Sequence, residues 1–288
     1  MISASEQGIV YATSWYLDIV SPGWEALVEE DYEAGFPLTA RKKAGFDYLC
    51  QPPFTQQLGL FNQGPPAGET RLQKFLASIP GKFRLIEIQL NHLNRCNHPE
   101  DFTVAPRLTH HLELNLGYEQ IKQGYSENIK RNIRKAGNAQ WQVTEKVTGK
   151  QIIRLFRANR GRGIRTLKNR DYVVLEKLLG EAQERNLLHG KGIFNPSGHL
   201  IAGAVFLKSF HAYIFLFSAT SREGKETGAM SAVIDAFIRD HHGGKGHLDF
   251  EGSMDKSLAR FYRGFGSKEV VYLQIRKNKL PPIIRWFK

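Results

Sequence analysis

The stretch DFEGSMDKSLARFYRGFG, residues 249–266, carries the side chains best suited to chemistry. Asp249 and Glu251 flank Phe250, and on a strand alternate residues share a face, so the two carboxylates are expected to point the same way. A carboxylate can take a proton from an amine, directly or through water, and free it to act as a nucleophile. Tyr262 and Arg263 follow at a spacing that suits stabilising a developing oxyanion or donating to a leaving group. The same four residues also have a structural reading, in which the acids bond backbone N–H groups or pair with Arg260 and Arg263. Gly252 turns the chain, Ser253 is the expected N-cap and Asp255 falls in the first helical turn. Leu258, Phe261, Tyr262 and Phe265 recur at i, i+3, i+4 and i+7, the apolar stripe of a packed helix.

A second group is cationic. Lys130, Arg131, Arg134 and Lys135 form one stripe of a helix whose buried side is marked by Ile129 and Ile133, with Asn128 and Asn132 beside it. Like charges at i, i+4 oppose helix formation by about 0.2–0.5 kcal/mol per pair, which an anionic ligand would offset. Guanidinium forks suit phosphate. Residues 118–170 hold fourteen basic and three acidic side chains, so a net +11 of the chain's +12 lies there. Such a field attracts nucleic acid, nucleotide-linked sugars, coenzyme A or anionic lipid, which leaves peripheral membrane contact open; the bland reading is a solvated face. RANRGRGIR (157–165) reads either as a phosphate clamp or as a solvated loop, and QPPFTQQLG (51–59) as an acceptor-site loop or a rigid one. His110-His111 and His241-His242 are adjacent pairs with no third ligand at a useful spacing, so no metal is expected.

The elements that must position these groups follow from periodicity. In 288 residues, 41% hydrophobic and 24% charged, the N-terminal third reads as strands at 24–31, 36–54 (a hairpin), 83–91 and 107–116, with helices at 11–20 and 68–80. Helices follow over 118–138, broken at Gly124 and capped again at Ser126, then over 149–163 and 169–186. Three antiparallel strands at 188–194, 199–208 and 211–219 lead to a helix begun at Gly228, a strand at 247–252, the aromatic helix and a last strand at 269–277. The tail NKLPPIIRWFK is expected to pack as an arm. No apolar run approaches the roughly 20 residues of a membrane span. The N-terminus lacks the features of a signal peptide, and Cys50 and Cys96 suggest no disulfide framework, so the cytoplasm is the expected location.

The order from residue 140 onward, the helix Lys130-Arg131-Asn132-Ile133-Arg134-Lys135-Ala136, and the strand, turn and helix at 249–266 together resemble the acyl-CoA N-acyltransferase (GNAT) superfamily. The closer resemblance is to the Fem-type, FemAB-like peptidyltransferases. These features cover about half the chain, and the first 110 residues match only in layout. The resemblance implies an α/β (α+β) protein of tandem GNAT-like domains, with mixed, mostly antiparallel sheets flanked by helices. It implies domains at 1–117 and 140–288 joined by a basic connecting helix at 118–139. It also implies acyl transfer from a thioester or aminoacyl ester to an amine. The donor would lie where two neighbouring strands splay, and no metal or resident cofactor would be required. Acyl-CoA and aminoacyl-tRNA are the donors it suggests; tRNA, coenzyme A or a peptidoglycan (cell-wall) precursor is the phosphate-bearing partner. Lys225 and Gly228 fall where the superfamily's pyrophosphate loop would be, but Met230 replaces a small residue and would crowd the backbone. Fem-type proteins often carry a Lys in the aromatic helix, where this chain has Tyr262-Arg263. Two other functions stay open: a nucleic-acid-binding protein on a degenerate transferase scaffold, and an acetyl-CoA-dependent N-acetyltransferase of small molecules.

Overall fold

Alternating apolar residues in the strands, and apolar residues every three to four positions in the helices, give the elements that the sequence predicts. The computed structural model describes residues 1–43, 45–97, 99–139, 141–164 and 166–281. From the N-terminus run α1 (Ser14–Val20), β1 (Glu25–Val28), β2 (Ala34–Leu38), β3 (Ala40–Lys43), β4 (Phe46–Cys50), β5 (Phe61–Asn62), α2 (Glu69–Ala77), β6 (Phe83–Gln89) and β7 (Thr103–Glu113). Then come α3 (Tyr118–Gln123), α4 (Glu127–Asn138), β8 (Val143–Thr144), α5 (Gly149–Ala158), α6 (Asn169–Glu184), β9 (Leu188–Phe194), β10 (Leu200–Lys208) and β11 (Ala212–Thr220). The chain closes with α7 (Arg222–Glu226), α8 (Ala229–His241), β12 (His247–Asp249), α9 (Lys256–Arg263) and β13 (Lys268–Asn278). The tail expected as an arm lies outside the described residues from 282 on.

Packing divides the chain into two units, Met1–Leu108 with the described residues from Val270, and Thr109–Glu269. The boundaries fall inside β7 and β13. The breaks drawn from sequence at 117/118 and 139/140 mark a change of charge, and both lie within the second unit.

The first unit orders its strands β3-β4-β6-β13 and adds a small sheet, β1-β2-β5. Leu72, Phe75 and Leu76 of α2 join Phe36, Leu49, Phe83 and Ile86 in its core.

The second unit orders its strands β7-β12-β11-β10-β9-β8. β11 and β12 run parallel; the other neighbours run antiparallel. Val233, Ile234, Phe237 and Ile238 of α8 lie in one core with Phe206, Phe250, Tyr262 and Phe265. Burying an apolar side chain of this size contributes about 1.5–3 kcal/mol. Phe206 and Phe237 stack with centroids 3.7 Å apart.

α4 is embedded in this unit. Ser126 caps it by accepting from the Ile129 N–H, and the Ser126 N–H donates to the Gly264 carbonyl at 2.8 Å. A Cβ on Gly264 would come within 2.9 Å of Ile129 Cγ1, so this residue has to be glycine for the basic and aromatic helices to dock. Asp255, and not Ser253, is the N-cap of α9: its side chain accepts from the Ser257 and Leu258 N–H groups. The positive φ values of Glu251 and Gly252 delay the helix.

Candidate active site

β11 and β12 pair only from Ala212↔His247 to Ile214↔Asp249. β11 then continues to Thr220 while the other chain turns away, and a cavity of about 550 Å³ opens at the divergence. One wall is β11 from Phe215 to Thr220, and another is aromatic, with Phe156, Phe250, Phe261 and Tyr262. Asn132, Lys225, Gly228 and Glu251 also line it, with Glu251 the one acidic side chain among the described lining residues.

The two carboxylates of the 249–251 stretch do not share a face. β12 ends at Asp249, so the strand alternation stops before Glu251. Asp249 is paired in register with His111 and is buried on the side of Thr109 and His111. It accepts from the Thr109 hydroxyl and the Glu251 N–H, and lies 3.3 Å from His111 Nε2. Burial pushes its carboxyl up, but His111, Thr109 and the Glu251 N–H outweigh that and hold it below the usual carboxylate range. Phe250 is buried in the core and one side of it contributes to the cavity wall. Glu251 reaches the cavity because its φ of 51° reverses the chain.

Tyr262 and Arg263 also separate. One residue on a helix is a rotation of about 100°. Tyr262 is buried and lines the cavity, and burial pushes its hydroxyl well above the ordinary phenol range, so it stays a neutral donor at pH 7. Arg263 is exposed and lies 3.4 Å from Glu269, outside the cavity lining.

The basic helix splits in the same way. Asn132 enters the cavity. Lys130 pairs with Glu127 at 3.1 Å, and Arg131 donates to Asn128 at 2.6 Å. Arg134 and Lys135 are exposed on the same helix. From RANRGRGIR, Arg160 lines the cavity and pairs with Asp255 at 3.0 Å.

Gly228 begins α8 with φ 74°, as the glycine-led start predicts. A Cβ there would lie 2.6 Å from the Asn132 carbonyl oxygen and 2.9 Å from its Cα. α4 therefore packs against Gly228 from the side a Cβ would take, while Lys225, Gly228 and Met230 line the cavity. Met230 packs against the core beside it.

Thr109, which carries no sequence signal, His110, read only as half of a non-ligating pair, and Ser253, read only as a cap, are all buried around this turn. His110 Nδ1 lies 2.9 Å from Ser253 Oγ. Burial, with Arg263 next, pushes the His110 imidazole down, so it stays neutral. No local signal marks these contacts, because β7 and the turn are about 140 residues apart in the chain. Among the described residues no group of His, Cys, Asp and Glu is arranged to hold a metal ion. No helix among them is long and apolar enough to cross a membrane.

No protein-family model matches the sequence, and no curated protein matches it significantly. Solved structures do share the fold. FemX aligns over 99% of this chain and 96% of its own, with a TM-score of 0.64 at 12% identity. L-PGS from Bacillus licheniformis aligns over 93% and 88%, with a TM-score of 0.56 at 9% identity. A DUF2156 domain from Agrobacterium fabrum, assigned to the C-terminus of a lysylphosphatidylglycerol synthetase, aligns over 90% and 84%, with a TM-score of 0.56 at 10% identity. The chain thus shares the fold of FemX, the Fem-type layout that its motifs resemble. At such identities a shared fold leaves the activity to be argued from the site.

Proposed function

We propose that the protein is an acyl- or aminoacyltransferase of the FemAB-like type, acting on an amine of a phosphate-bearing or peptide-like acceptor. The observation that carries this is the cavity at the β11–β12 divergence, with Glu251 and Tyr262 in its lining. The acyl group of the donor lies along β11. The acceptor nitrogen attacks the acyl carbon, a C–N bond forms, and the bond to the donor's oxygen or sulfur breaks. Glu251, or a water on it, takes the proton the amine loses. The neutral Tyr262 hydroxyl donates to the oxygen that gains charge, or to the leaving group.

Met230, in place of the small residue that lets a pyrophosphate approach the backbone, favours an aminoacyl ester over coenzyme A as donor. FemX and L-PGS, as fold neighbours, support a transferase by analogy only. The test is a transfer assay that offers an amine acceptor two labelled donors, an aminoacyl-tRNA pool and an acyl-CoA. Label from the first donor is expected, and transfer from neither would end the proposal.

A second reading, a nucleic-acid binder, is favoured by the exposed Arg131, Arg134 and Lys135. It requires RNA affinity that falls steeply with salt.

A further inference from the structure

Glu251 is a non-glycine residue with φ 51°, followed by Gly252 with φ 60°. For an L-residue such a conformation is strained, because Cβ crowds the following carbonyl oxygen. It persists only where the surroundings over-determine it, and such residues gather at functional sites.

The surroundings here are specific. The Glu251 N–H donates to Asp249 Oδ1 at 3.0 Å, and that oxygen also accepts from the Thr109 hydroxyl. On the other side, Ser253 Oγ lies 3.2 Å from the Glu251 carbonyl and donates to it, and the same Oγ lies 2.9 Å from His110 Nδ1. With the serine hydrogen directed at the carbonyl, His110 must carry its proton on Nδ1 and donate to the serine oxygen. The Phe250 N–H donates to the His110 carbonyl at 3.0 Å. Thr109 and His110 are 0% exposed, Ser253 is 3% and Asp249 is 4%. Both backbone polar groups of one strained residue are therefore held by buried side chains, and each of these is anchored by a neighbouring residue of β7.

We infer that this clasp exists to hold the Glu251 carboxylate in the cavity, and that Thr109, His110, Asp249 and Ser253 are positioning residues for it. The inference rests on the transferase reading of the cavity. A packing role alone would be met by glycine at 251, which adopts positive φ without strain.

Two measurements test it. The first needs no substrate: Glu251→Gly and Glu251→Ala remove the same carboxylate, but only Gly relieves the backbone. Glu251→Gly is expected to melt about 3 °C above Glu251→Ala. Equal melting would overturn the strain and with it the clasp, whatever becomes of the transferase proposal. The second is kinetic. Thr109→Val and Ser253→Ala should lower kcat at least tenfold with KM within twofold, while Thr109→Ser, which keeps the hydroxyl, should retain most of kcat. Wild-type kcat in both deletions, or an equal loss in Thr109→Ser, would overturn the positioning role. Should Thr109→Val fail to fold, Ser253→Ala alone decides the kinetic arm.

Discussion

Gly228 and Asn132 meet backbone to backbone, 2.6 Å separating the Asn132 carbonyl oxygen from the place a Cβ on Gly228 would take. The glycine that opens α8 thus serves two needs, a φ of 74° and the close approach of α4. Gly228→Ala is expected to destabilise the protein by about 2 kcal/mol or more, since it adds a left-handed alanine to an overpacked contact. Denaturant unfolding checks this, and an unchanged midpoint would show that α4 yields freely.

Asp249 and Glu251 are expected to respond differently to neutralisation. Asp249→Asn removes the buried charge that Thr109, His111 and the Glu251 N–H surround, and should lower stability by about 2 kcal/mol. Glu251→Gln should leave the melting temperature within a degree or two. Parallel melts of the two variants decide; equal losses would place both acids in the same role.

The stripe on α4 is expected to act on binding and not on folding. Arg131→Ala, Arg134→Ala and Lys135→Ala combined change three exposed side chains. If they contact a single-stranded RNA, the slope of log affinity against log salt should shrink by about 2. An unchanged slope with unchanged affinity would return the stripe to the solvent.

Stability should fall on mild acidification. Burial pushes His110, His189 and His241 below the ordinary value of 6.5, so each prefers to be neutral in the fold. The unfolded chain takes up its protons first. The stabilisation is therefore complete above pH 6.5 and is lost as pH drops through the lower folded values. Melting temperature should decline between pH 7 and 5, and His189→Phe, set among Tyr213, Phe237 and His241, should flatten that decline. A flat wild-type profile would contradict this.

The elements were legible because their signals are local. The Ile129/Ile133 stripe, the Ser126 cap and the Gly228 start each lie within one turn of the helix they define. The site was legible only in part. Alternation correctly makes 247–249 a strand but carries it three residues too far, to 252, and so puts Glu251 on one face with Asp249. What stops the strand is a positive φ at Glu251, whose backbone is held by Asp249 and Ser253; these are anchored in turn by Thr109 and His110, and neither anchor lies near in sequence. Helical periodicity put Tyr262 on the buried stripe of α9, and the same periodicity sends Arg263 to solvent. Lys225 and Gly228 rest on analogy with a pyrophosphate loop; both line the cavity, and the α4 backbone against Gly228 is a tertiary contact that no local pattern announces.

In the proposed reaction Glu251 and Tyr262 act on the transferred group inside the β11–β12 cavity. The most direct measurement is single-turnover acyl transfer to an amine by the wild type, Glu251→Gln and Tyr262→Phe, with each variant's fold checked by its melting temperature. Transfer by the wild type is expected, with at least a tenfold loss of rate in both variants at near-native stability. Wild-type rates in both folded variants would contradict it.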